Sequence, residues 1–483
     1  MGIKTCNCDV LIVGGGLSGL QSAITIREKS PSKKVVIADL GGGASSEVMG
    51  FCAPMGAEDS PECFIEDTLR AGAGENNPEI VSRLCRDASS VVATLEKIGI
   101  VFDHKPDGSY DMLRSLGSTY HRVVHYKTLT GETAMAKYKA TLESDNLVEF
   151  HKARIVKLFK KNGKIAGALG FKDGEAVAYN APSVVLATGG GAGLYSFSSW
   201  TKMLQGSGYA MAIDAGVELT GMNRVQFEPC VAVFPEQFYG FPIITTMLFE
   251  GAKLIDAKGN SLLKPDMPTP AKRQLAEMIA SAVANGGDCG HGGVWFDISG
   301  VDEKLFETKY PEYYKKLRPI VADYKDLRIE VKPAAHTTLG GVVINAKAET
   351  SVAGLFAAGE ASGGVHGKDR IGGNAGLEIF VFGRASGESA SEYNGESCDI
   401  SADCQEFLAT IPVGSDVRHD ILANVGNILD TYVGVYRKPE DSQKCLAELA
   451  KIRADLQANP PNNKEHYLTC CNALTTAEQL AKF

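Results

Sequence analysis

The chain has 483 residues, and 49 Lys plus Arg against 58 Asp plus Glu give a formal net charge of −9, which argues against nucleic acid or an anionic membrane surface as the main partner. Apolar residues make up 44% and charged residues 22%, an ordinary globular balance that excludes overall disorder, and the length implies more than one domain. The 53 glycines exceed the usual ~7% without a collagen period or a low-complexity tract, so they serve tight turns and close backbone approach.

No charged and apolar leader precedes the first strand, and no apolar run reaches the ~18–20 residues of a membrane span. The 12 cysteines show neither zinc nor iron–sulfur spacing. A cytoplasmic chain with reduced thiols, no membrane span and no metal site is expected.

Residues 9–13 (DVLIV) form a short β-branched run, the pattern of a buried parallel strand. Gly14-x-Gly16-x-x-Gly19 follows at once, and residues 17–29 then carry helical spacing. A second buried strand, Lys34–Ala38, ends in Asp39, twenty residues after Gly19. This order defines a dinucleotide-binding fingerprint. Gly14 allows the tight turn, Gly16 lets the backbone approach a pyrophosphate, and Gly19 permits close helix–strand packing. The amides of Leu17 and Ser18 open the helix toward the phosphates. Asp39, followed by Leu40, can accept from a ribose diol. The fingerprint alone does not separate NAD from FAD, but its N-terminal position favours a flavoprotein.

Further along, residues 102–111 (FDHKPDGSYD) read as a hairpin with Asp-Gly at the turn. Ser183–Gly193 (SVVLATGGGAG) is a buried strand running into glycines, with Thr188, Gly189 and Gly190 placed beside the first strand. Lys264–Gly287 reads as a helix started by Thr269-Pro270. Ala353–Glu360 (AGLFAAGE) is a third strand, ending where Glu360 can meet ribityl hydroxyls. Residues 415–436 and 439–457 read as amphipathic helices, and NPPNN at 459–463 as a terminal linker.

Several segments, in order, resemble the flavoprotein subunits of fumarate reductase and succinate dehydrogenase, with soluble fumarate reductases and L-aspartate oxidase. They are VGGGLSGLQSA, RVVH at 122–125, LATGGGAGLY at 186–195, GSGYAMAIDAGVEL at 206–219, VQFEP at 225–229, WFDIS at 295–299, HTTLGG at 336–341 and LFAAGEASGGVHGKDRIGGNAGLEIFVFGRASG at 355–387. The resemblance implies an α/β fold: a doubly wound, Rossmann-like FAD-binding domain (1–224 and 336–395), an inserted α+β capping domain (225–335), and a helical C-terminal region (396–483). It implies FAD, with Gly373, Asn374, Ala375, Gly376 and Leu377 starting a helix aimed at the flavin, and Ser45, Ser46 and Gly50 near the cofactor. Family members with covalent FAD use a histidine in the stretch matching 41–54, and none stands here, so non-covalent FAD is expected. Arg122 is expected to tie domains together, and His125 to lie near the flavin.

The resemblance also implies a substrate site in which His336 and Arg370 hold carboxylates. The cap half departs from the family. Its QFHP motif reads Gln226-Phe227-Glu228-Pro229 here. An ungapped alignment puts Leu248 at the position of the proton-delivering arginine, and a gapped one deletes it. Glu228 disfavours a second substrate carboxylate, so the expected reaction is reduction or formation of a C=C bond beside a single carboxylate, by hydride transfer with flavin N5. Glu228, Tyr239, Lys253 and Glu250 are the candidate replacement acids; Lys253 is the nearest cation to the lost arginine, and Lys272 and Arg273 lie further along the chain. Two alternatives are L-aspartate-oxidase-like amino acid oxidation and a flavin electron-transfer subunit like that of adenylylsulfate reductase. The expected partners are a small carboxylate and an electron donor or small redox protein.

Overall fold

A computed structural model describes residues 3–482 apart from 116, 128, 265, 266, 268 and 269. Among the described residues, eight strands form the main sheet in the order Lys4–Asn7, Glu175–Asn180, Lys164–Lys172, Val148–Lys161, Val35–Asp39, Val10–Val13, Ser183–Leu186, Leu355–Ala357. The last five pair in parallel. Val10–Val13 and Ser183–Leu186 are buried throughout, which is why they read as unbroken apolar runs rather than as an alternation. The glycine segments that follow them therefore emerge side by side at the carboxyl edge of the sheet, where open α/β sheets bind ligands.

The helices Leu17–Lys29 and Asn374–Glu392 pack against each other through small residues. Ser22 Oγ lies 3.0 Å from Gly383 O and 2.7 Å from Ser386 Oγ. This close crossing fixes both helix N-termini relative to the sheet.

A second hydrophobic core gathers between Cys230 and Val331, around Leu254, Ile279, Phe296, Phe306 and Ile329. Its sheet runs Val225–Phe234, Arg328–Thr338, Val294–Asp297, Lys253–Ile255. The first two of these strands connect the core to the flavin-side sheet.

Some elements differ from the expectations above. The cap helix runs only Lys272–Ala282, with Ala271 as its N-cap; the Gln274 side chain accepts from the Ala271 amide at 3.0 Å. Thr269 lies outside the described residues. NPPNN leads into a further helix, Lys464–Ala481, whose buried face is Tyr467, Cys470, Ala473, Leu474, Ala477 and Leu480. Arg122 does not tie domains together. Its bidentate partner is Asp59, at 2.6 and 2.7 Å, and it also pairs with Asp67, all within the flavin-side region.

Cys6, Glu149 and His151 hold ligand-type atoms within 4.8 Å of one another. Two of the three are already partnered: Lys34 pairs with Glu149 at 2.7 Å and His151 Nδ1 lies 3.2 Å from the Tyr179 hydroxyl. No described helix is long and apolar enough to cross a membrane.

Candidate active site

The dinucleotide cradle is built from backbone at van der Waals limits. Gly14 has φ +112°, and a Cβ there would stand 2.2 Å from Ala187 O. Any side chain would force the two central strand ends apart. Gly16 caps the helix Leu17–Lys29, and Ser45 Oγ accepts from the Leu17 amide at 3.0 Å. Ser46 lies in the same short turn, Ala44–Glu47. Asp39 ends its strand beside Gly15 and accepts from the Gly41 amide at 3.0 Å, with Leu40 between them.

On the other side, a Cβ at Gly190 would stand 2.0 Å from Glu360 Oε1. That carboxylate oxygen accepts from the Thr338 amide at 2.9 Å. The helix Asn374–Glu392 starts from Gly373 in a left-handed conformation. Gly376 packs on the carbonyl of Gly50, whose strand Gly50–Cys52 pairs with Val123–His125. His125 pairs with Gly50 across these strands and approaches Asp103 at 2.9 Å.

Three buried polar atoms in this region have no protein partner: Ser18 Oγ, Thr188 Oγ1 and Asn374 Oδ1. A buried polar atom left unpaired costs free energy, so these atoms, with the helix-start amides and the glycine floor, suit a dinucleotide with hydroxyls and phosphates.

Glu360 is the perturbed acid of the cradle. Burial pushes its carboxyl up to about 7, against the Thr338 amide and Arg370, which pull it down. Without FAD, the native chain holds this proton where an unfolded chain, titrating near 4.5, has released it. The FAD-free protein is therefore expected to lose stability as pH rises from about 4.5 to about 7. Glu360→Gln should flatten that window, and urea unfolding on either side of it checks this. An unchanged pH dependence in the variant would assign the effect elsewhere.

The substrate side forms where the cap strands meet the cradle. The pairing of Val225–Phe234 with Arg328–Thr338 shifts register between Gln226 and Phe227, opposite Thr337 and Ala335, so His336 occupies a bulge. Bulges re-aim side chains beside active sites. His336 Nε2 stands 3.8 Å from Glu228 Oε2 and its Nδ1 2.8 Å from Ser199 Oγ, while Trp200 stacks on its ring at 4.8 Å and 24°. Burial pushes the imidazole well below its usual value, and Lys272 and Arg370 add to this. His336 is thus a neutral ring at pH 7.

Arg370 is 8% exposed. Its Nε donates to Gln226 Oε1 at 3.1 Å, and the Gln226 amide nitrogen donates to Asp369 Oδ1 at 2.9 Å. Among the described residues, Nε is the only guanidinium nitrogen bonded to protein, leaving both Nη groups for a ligand fork. Burial lowers the guanidinium pKa, opposed by Glu228 and Glu360.

Glu228, 7% exposed, is ion-paired with Lys272. Lys272 occupies the first turn of the cap helix, whose Leu275, Ala276 and Ile279 anchor it in the cap core. The structure thus gathers Glu228, His336 and Arg370 and adds Gln226, Ser199, Trp200 and Lys272. Tyr239 and Lys253 are not brought to this cluster. Tyr239 is 62% exposed beside Phe197, in a surface groove with Gln237, Phe241, Lys316 and Ile320. Lys253 is exposed on the outermost cap strand, opposite Asp297. Glu250 pairs with Lys309 and Tyr310, and Leu248 packs against the cap core.

Fold, cradle and matched sequence together define an FAD-dependent oxidoreductase, and residues 9–375 match the FAD binding domain family. The chain belongs to the fumarate reductase/succinate dehydrogenase flavoprotein family. It is 32% identical to a subunit of the CoM/CoB fumarate reductase of Methanothermobacter marburgensis over 396 residues, 80% of this chain and 72% of that protein. It is 29% identical to L-aspartate oxidase of Saccharolobus solfataricus over 446 residues, 90% of this chain and 88% of that one. The structure of E. coli quinol fumarate reductase FrdA shares the fold, with a TM-score of 0.90 at 24% identity over 99% of this chain and 89% of that chain.

Proposed function

We infer that the protein reduces, or in reverse forms, a C=C bond adjacent to a single substrate carboxylate. The observation that carries this reading is the charge of the site. Lys272 neutralises Glu228 by ion pairing, His336 is neutral, and Arg370, among the described residues, is left without an ion-paired carboxylate. That matches a monocarboxylate and leaves a dicarboxylate such as fumarate uncompensated.

Reduced flavin supplies the hydride in such a reaction. The chain's own residues do the rest. Both Nη groups of Arg370 clamp the carboxylate, Gln226 fixes the guanidinium plane, and Ser199 with Trp200 holds the His336 ring as a neutral donor. FAD is held without a covalent bond, since residues 41–54 contain no histidine. The electrons come from a separate donor, as expected for a chain related to a protein named as a reductase subunit.

Amino acid oxidation fits less well. A substrate ammonium would need Glu228 as its counter-ion, and Lys272 already neutralises that carboxylate.

The test is anaerobic. Acid precipitation of the holoprotein should release FAD to the supernatant; flavin retained on the polypeptide would refute the non-covalent attachment. Dithionite-reduced enzyme is then mixed with fumarate, crotonate or cinnamate, and flavin reoxidation is followed. Reoxidation by crotonate or cinnamate in preference to fumarate is expected. Preference for fumarate would overturn the charge argument. Reoxidation by none of these acids would favour an electron-relay role.

A further inference from the structure

Reduction of a C=C bond requires a proton donor as well as a hydride, and the described cluster contains one well-placed cationic acid. Arg370 is occupied in gripping the carboxylate. The His336 imidazole is neutral and stacked against Trp200. Lys253 and Tyr239 lie on exposed cap surface. Lys272 differs from all of these: its side chain is 19% exposed, it reaches Glu228, and Glu228 in turn approaches His336 at 3.8 Å. The ammonium therefore projects from the cap toward the same cluster that holds the carboxylate clamp of Arg370 and His336.

We propose that Lys272 is the catalytic acid of this site, donating a proton from Nζ to the substrate carbon beside the one that receives hydride, with Glu228 as its positioning partner. The proposal rests on the reductase reading above. In the balanced step, the C=C π bond breaks as hydride from the reduced flavin forms one C–H bond. The π electron pair left on the neighbouring carbon forms a second C–H bond with the Lys272 proton as the Nζ–H bond breaks. Substrate gains two electrons and two hydrogens, the flavin is oxidised, and neutral Lys272 regains a proton from solvent through the carboxylate of Glu228.

The geometry suits that cycle. Glu228 is buried and Lys272 half-buried, and their ion pair holds the ammonium toward the cluster. The acid lies on the helix Lys272–Ala282, while His336 sits near the end of the strand Arg328–Thr338 and Arg370 in the loop before the helix Asn374–Glu392. Proton source and carboxylate clamp thus reach the substrate from different elements.

A purely structural role for Lys272 would be neutralisation of Glu228, and a charge-balanced double variant separates the two. Three proteins are compared with wild type: Lys272→Met, Glu228→Gln and Glu228→Gln/Lys272→Met. The double variant keeps the net charge of the site, so binding of unreactive butyrate, read from perturbation of the flavin absorption band, should stay close to wild type. Its reoxidation by whichever of fumarate, crotonate and cinnamate is fastest with wild type should fall ~10²–10⁴-fold, the usual contribution of a positioned acid. Wild-type reoxidation in the double variant would overturn the proposal, because Lys272 would then serve only to balance Glu228. Loss of butyrate binding in parallel with rate would also overturn it, by making Lys272 a binding cation. If wild type is reoxidised by none of the three acids, the reductase reading fails first and the acid falls with it. The two failures are therefore distinguishable.

Discussion

Arg370→Ala is expected to lose ~10²–10⁴-fold in kcat/KM, the equivalent of two charge-assisted hydrogen bonds at about 1.5–3 kcal/mol each. The guanidinium is buried, its Nε is fixed by Gln226, and its charge acts on both His336 and Glu228. FAD content should remain that of wild type, because the Arg370 side chain touches the clamp rather than the glycine floor under the cofactor. Arg370→Lys sharpens the test. It keeps the charge and loses the planar fork, so it should stay well below wild type. The assay is steady-state oxidation of reduced viologen dye with the preferred acid, together with flavin quantified per polypeptide. Near-normal kcat/KM in the lysine variant would make Arg370 a structural tie to Gln226 and Asp369.

What could be read from the sequence was what is local. The run Val10–Val13, the glycines after it and the following helix declare themselves within twenty residues, because a buried parallel strand and a tight turn each demand a residue type at a fixed offset. The residues proposed as the carboxylate clamp stood out for a different reason: His336 and Arg370 sit inside long motifs shared with a family. The Lys272–Glu228 pair did not stand out, because its two residues are forty-four apart in the chain and nothing about a lysine near a helix start announces a buried partner. Trp200 and Ser199 were missed in the same way, since they reach His336 only through the turn that follows the glycine segment. The helix Lys464–Ala481 escaped although Tyr467, Cys470, Leu474, Ala477 and Leu480 fall at helical spacing, because half of its buried residues are Ala or Thr, small side chains that mark an apolar stripe weakly. The surplus of glycine was an accurate guide. At Gly14 and Gly190 the surrounding atoms leave no room for a methyl group.

The second large effect is expected at Arg122, on stability and through it on the cofactor. Its guanidinium is 1% exposed and lies between Asp59 and Asp67, themselves 1% and 2% exposed. Burial raises the Asp67 carboxyl, but hydrogen bonds from Thr119, Arg122 and Arg70 outweigh it and hold the group below its usual range. Arg122→Ala leaves two buried carboxylates without their shared cation, which typically costs about 3–5 kcal/mol. The consequence does not stop at stability. Arg122 is followed directly by the strand Val123–His125, which pairs with Gly50–Cys52. Gly376 of the helix Asn374–Glu392 rests on the Gly50 carbonyl, and Cys52 Sγ contacts Gly372 O at 3.2 Å. Loosening the carboxylate–arginine cluster should therefore let the start of that helix shift, and Arg122→Ala should purify with less FAD as well as a lower urea midpoint. Asp59→Asn/Asp67→Asn/Arg122→Met removes the three buried charges together and should recover much of the loss, because it leaves no uncompensated buried charge; Arg70, which also pairs with Asp67, is exposed to solvent. Full FAD occupancy and an unchanged midpoint in Arg122→Ala would show that the cluster is not what holds these strands under the helix.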